Sequence, residues 1–139
     1  MNVRAPYFII QRALPLMPDG GRIVTISSVA TRMANPAQTS FAMTKGAIET
    51  MCLTLANELG ARGITVNAVA PGATRTPANG AVFETPGLAE LIAGTTALNR
   101  LGDAGDVAEV VAFLAADGAR WITGQVIDAS GGLFLGPRV

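Results

Sequence analysis

Residues 40–72 read SFAMTKGAIETMCLTLANELGARGITVNAVAPG, a run whose hydrophobic period changes part-way along and so decides the fold. In its first part Phe41, Ile48, Met51, Cys52, Leu55, Ala56 and Leu59 recur at helical spacing. One long helix is therefore expected over residues 39–62, with Gly63 as a left-handed stop. The last part, ITVNAVA, is a β-branched apolar run without alternation, the pattern of a strand covered on both faces, and Pro71-Gly72 closes it. A long helix running straight into a doubly covered strand is half of a parallel α/β repeat.

The flanking sequence extends the same scheme. Upstream, RIVTIS at residues 22–27 is a second buried strand. Before it, Tyr7, Phe8, Ile10, Leu14 and Met17 mark a helix that Pro15, Pro18 and Asp19-Gly20-Gly21 end in a turn. Downstream, the Gly-, Pro-, Thr- and Asn-rich stretch up to Pro86 is expected to be a working loop, followed by short helical segments around residues 88–92. Asp106-Val-Ala-Glu109 has the form of a capping box opening an apolar helix to about Ala116, and GQVIDA at residues 124–129 is the third strand. The predicted class is α/β, with three parallel strands, right-handed crossovers and helices on both faces. Cys52 and Trp121 are both expected to pack inside.

Composition narrows the function. A chain of 139 residues fits one domain, and hydrophobic residues make up 50% of it. Charged residues make up only 14%, against about 25% in an average soluble domain, so some apolar surface should face another chain. Zero net charge, sparse aromatics and no basic run leave no footprint for nucleic acid. The single cysteine, Cys52, precludes an internal disulfide or a cysteine metal cluster, and no metal site is expected. With no histidine, a Ser-His-Asp triad cannot be built. Arg4 and Arg12 precede the first acid, Asp19, in faint likeness to a transit peptide, but no apolar run could span a bilayer. A soluble, cytoplasmic protein without a membrane partner is expected.

Four landmarks occur in one order: ISS at residues 26–28, SFAMTKGA at 40–47, VNAVAPGATRT at 66–76 and TGQVIDASGG at 123–132. Together, over essentially the whole chain, they resemble the short-chain dehydrogenase/reductase family: its strand-end serine, its Tyr-x-x-x-Lys segment, its Pro-Gly loop and its last strand. The resemblance implies NAD(P)-dependent oxidoreduction of a small alcohol or carbonyl on a Rossmann-type doubly wound sheet. Carried over, the catalytic serine falls on Ser28, thirteen residues before position 41, the lysine on Lys45 and the asparagine on Asn2. Lys45 would also hold the nicotinamide ribose, and Pro71, Gly72 and Thr76 would contact the cofactor, NAD or NADP. The tyrosine position holds Phe41. A phenol beside a cation can give or take a proton near neutral pH; a phenyl ring has no proton to exchange.

A second departure concerns the cofactor's pyrophosphate. Gly20-Gly21 lies between a helix and a strand and Gly131-Gly132 follows the last strand, so neither supplies the family's glycine-rich turn. Residues 1–139 therefore read as one partial Rossmann-type domain, the C-terminal half, expected to be inactive alone. The alternative is a catalytically silent subunit with an oligomerisation or regulatory role. In the family the helices corresponding to residues 2–17 and 39–62 pack against their copies. A homodimer or homotetramer through them, or pairing with a complete family subunit, is thus expected, with Phe8, Met17, Met51, Leu55 and Leu59 as the surplus apolar residues.

Overall fold

The computed structural model describes residues 3–136. Helix α1 (Arg4–Ala13) leads through a 3₁₀ turn at Leu14–Leu16 into strand β1 (Arg22–Ile26). The α-helix stops earlier than the expected Met17 because Pro15 enters that turn. Helix α2 (Thr39–Leu59) and strand β2 (Thr65–Pro71) follow. Between them Gly63 takes φ +64°, the left-handed stop expected of it.

The expected loop after Pro71 carries structure of its own: strand β3 (Thr74–Arg75) and helix α3 (Gly80–Phe83), then helix α4 (Leu88–Thr95) and strand β4 (Gly102–Asp103). Helix α5 (Ala104–Ala115) and strand β5 (Val126–Ala129) complete the order. Helix α5 begins one turn before the expected capping box. Asp103 occupies the cap position, and the Asp106 carboxylate, held by both terminal guanidinium nitrogens of Arg100 at 2.6 and 2.8 Å, accepts the Asp103 N–H at 2.8 Å.

The main sheet is parallel, ordered β1-β2-β5, with Ile23 opposite Val66 and Val69 opposite Ile127. Successive residues of β2 serve opposite faces. Val66 and Ala68 join Ile48, Cys52, Ala56 and Leu59 of α2 in one buried layer, while Val69 joins Leu114 of α5 and Ala119 in the other. Cys52 is thus a core residue, as expected. A separate two-stranded parallel ladder, β3-β4, ties the long loop to the start of α5.

Two packing expectations are corrected. Trp121 is 96% exposed, because its neighbours Ala119 and Ile122 fill the α5-side core and turn the indole outward. Of the surplus residues, Leu59 is buried and Met17, Met51 and Leu55 pack against this chain's own core; only Phe8 stays exposed. The exposed large apolar residues of these two helices are Tyr7, Phe8 and Ile9 on α1, and Phe41, Met43 and Leu53 on α2. Among the described residues no helix is long and apolar enough to cross a membrane.

Candidate functional site

Parallel strands deliver their C-terminal ends to one edge of the sheet, and that is where the candidate residues gather. Strand β1 ends at Ile26, and the Ser27 N–H extends its ladder by one bond to the Val69 carbonyl at 2.7 Å. Alternation then sends the two serines opposite ways. Ser27 turns inward, 2% exposed, and donates to Oε1 of Glu49 at 2.5 Å, an oxygen that also accepts from Thr31 at 3.0 Å. Ser28 faces the cleft, its Oγ accepting the Ala30 N–H at 3.2 Å, which leaves its own proton free to be donated.

Helix α2 supplies the other side. Phe41 and Lys45 are four residues apart and share a face. The Lys45 ammonium stands 5.6 Å from the centre of the Phe41 ring and donates to the Ile26 carbonyl at 2.8 Å. Partial burial pushes the Lys45 pKa below its ordinary value. Glu49 lies one helical turn further on, and its fixed contacts with Ser27 and Thr31 lock the helix to the end of β1.

The floor comes from β2 and its loop. Gly72 lies so close to Ser130 that a Cβ there would sit 2.9 Å from the Ser130 Cα. Beyond it the Asn79 Oδ1 accepts both the Thr76 N–H at 2.7 Å and the Thr76 hydroxyl at 2.9 Å, while the Asn79 amide donates to the Thr74 carbonyl at 2.8 Å.

Ser28, Phe41, Lys45, Pro71, Gly72 and Thr76, six of the seven residues picked from sequence, line a single cleft of about 760 Å³. The seventh, Asn2, lies outside the described residues. Sequence reasoning missed Glu49, whose signal was its place one turn after Lys45, and Asn79, three residues after Thr76 in a loop. It also missed the apolar wall of Phe83, Ile92 and Val107. A hydroxyl donor and a cation at the mouth of an apolar cleft can bind and polarise a carbonyl oxygen. The ring at position 41 can only pack.

The comparisons agree with this geometry. The family described as "Enoyl-(Acyl carrier protein) reductase" matches residues 1–134. A versicolorin reductase of Emericella nidulans is 39% identical over 96% of this chain and 55% of its own length. Among solved structures, the promiscuous reductase LugOII of lugdunomycin biosynthesis is 55% identical with a TM-score of 0.91, over 97% of this chain and 53% of that one. The angucycline C-6 ketoreductase LanV with bound NADP is 49% identical, also at 0.91, over 97% and 52%. The chain spans about half the length of the relatives it matches. The parallel α/β sheet, the motif order and these matches agree that the chain belongs to the short-chain dehydrogenase/reductase family.

Proposed function

We propose that this chain forms the carbonyl-binding, nicotinamide-side half of an NAD(P)-dependent oxidoreductase site whose proton donor has been lost, so that alone it turns over no ketone. The observation behind this reading is the Lys45 ammonium standing over the phenyl ring of Phe41, where the reaction needs an ionisable hydroxyl. The residues present fit one end of the cofactor. Lys45 would hold the nicotinamide ribose, and Pro71, Gly72 and Thr76 would flank the ring, with Ser28 steadying the substrate oxygen. The described residues offer no glycine-rich strand-to-helix turn for the pyrophosphate. The bound nicotinamide would supply hydride; the chain's own part is to orient the carbonyl against it. The wall of Phe83, Ile92 and Val107 favours an apolar ketone.

A second reading, a non-catalytic subunit, draws support from α1, a ten-residue helix with no buried residue and with Tyr7, Phe8 and Ile9 exposed. In it the helices at residues 2–17 and 39–62 would bind a second copy or a complete family subunit.

Calorimetric titration with NADPH and NADH, together with an aryl-ketone reduction assay, tests the first reading. Neither binding at micromolar concentration nor turnover is expected, and either one refutes it. Joined to a complete dinucleotide-binding half, the Phe41→Tyr chain should outpace the Phe41 chain by about 10²- to 10⁴-fold, the usual worth of one positioned acid/base group.

A further inference from the structure

We propose that Lys45 is a nucleophilic amine that condenses with aromatic aldehydes and ketones in the cleft to form a Schiff base. The inference needs no nicotinamide and stands apart from hydride transfer. Lys45 is the sole lysine of the chain. Its side chain makes one hydrogen bond among the described residues, to the Ile26 carbonyl at 2.8 Å, and no ion pair. The nearest acid along the helix face, Glu49, is committed to Ser27 and Thr31. A neutral amine can keep its bond to Ile26 and still turn its lone pair into the cleft.

The surroundings suit that chemistry. Partial burial pulls the Lys45 pKa down and so enlarges the neutral fraction of the amine, the direction in which apolar pockets make lysines into nucleophiles, while the Ile26 carbonyl and the Phe41 ring hold the remainder as ammonium. Phe41, Phe83, Ile92 and Val107 form a wall against which an aryl group can lie. Ser28, whose Oγ already accepts from Ala30, has its proton to give to the carbonyl oxygen.

The steps balance without an oxidant or reductant. The amine lone pair attacks the carbonyl carbon, forming C–N, while the π pair moves to oxygen, which takes a proton. The nitrogen releases its proton to water. The carbinolamine C–O bond then breaks as the nitrogen lone pair forms C=N, oxygen leaves as water after a second protonation, and the resulting iminium releases its remaining N–H proton to water. The net reaction is amine plus carbonyl to imine plus water.

The test uses the intact chain at neutral pH with 2-naphthaldehyde and sodium cyanoborohydride, which reduces the imine to a stable secondary amine. Peptide mass spectrometry locates the adduct. The comparator is an N-acetylated peptide of residues 40–47, which carries the same lysine free of the fold. The expected result is an adduct on Lys45 forming about tenfold or more faster than on the peptide. Lys45→Arg, checked for folding by circular dichroism, should lose it and keep only labelling of the terminal amine. Equal rates on chain and peptide, or labelling of the native chain confined to the terminal amine, would overturn the proposal. Both readouts come from the wild-type chain and hold even if the variant fails to fold.

Discussion

Asn67 sits in the middle of β2 with 1% of its surface exposed, an amide in a strand otherwise made of apolar residues and threonine. Its Nδ2 donates to the Ile122 carbonyl at 2.8 Å and its Oδ1 accepts the Gln125 N–H at 3.0 Å, so one side chain pins the turn that feeds β5 to the centre of the sheet. Asn67→Ala removes both bonds and leaves both backbone groups unpaired. Because this turn is near the surface and water can reach it in part, each orphaned group should cost about 1 kcal/mol, the low end of the usual range. The space left by the amide adds up to about 1 kcal/mol, for a total of about 2–3 kcal/mol. With a urea slope of about 1.5–2 kcal/mol/M for a chain of this size, the midpoint should fall by about 1–2 M. Equilibrium urea unfolding followed by circular dichroism measures it. Thr54→Ala is the control, since that hydroxyl sits on the exposed face of α2 and only back-bonds to the Thr50 carbonyl, and it should move stability by under about 0.5 kcal/mol. A midpoint for Asn67→Ala as close to wild type as the control's would refute the reasoning.

Gly72→Ala should destabilise by about 1–3 kcal/mol in thermal unfolding, since its Cβ would meet the Ser130 backbone, whereas Gly80→Ala opens onto empty space and should not; equal effects would contradict the close approach. Asp106 is held below the ordinary carboxylate range by the Arg100 guanidinium and then by the Asp103 N–H. Its contribution is therefore present above the unfolded value of 3.8 and lost as pH falls through the lower folded value. The stability gap between wild type and Asp106→Asn, read from urea midpoints, should accordingly be full at pH 7 and shrink below about pH 4, and a gap independent of pH would exclude this linkage. If the helix-paired assembly forms, Leu53→Glu, at a residue 63% exposed, should lower the mass seen by light scattering while leaving the helical signal intact, and a wild-type monomer at tens of micromolar would argue against the assembly.

The type and order of the main elements were legible because hydrophobic period is a local property. Spacings of three and four made α2, unbroken β-branched runs made β1 and β2, and Gly63 could stop a helix whatever lay around it. Motif spacing likewise singled out Ser28, Phe41, Lys45, Pro71, Gly72 and Thr76, and with them a phenyl ring at the position where the resemblance expects a phenol, since the residue type at a motif position is visible without coordinates. Which face of an element meets which partner is a different matter, because it depends on groups far apart in the chain. Tertiary structure alone decided that these six residues line one cleft, that Ser27 turns inward to Glu49 while Ser28 does not, and that Asn79 closes the loop around Thr76. It also reversed the reading of Trp121, whose bulk predicts burial until Ala119 and Ile122 take the core positions, and of Leu59, which is buried in this chain's own core, with Met51 and Leu55 partly buried against it. A helical stripe tells how much apolar surface must be covered; only the packed sheet and helices settle what covers it.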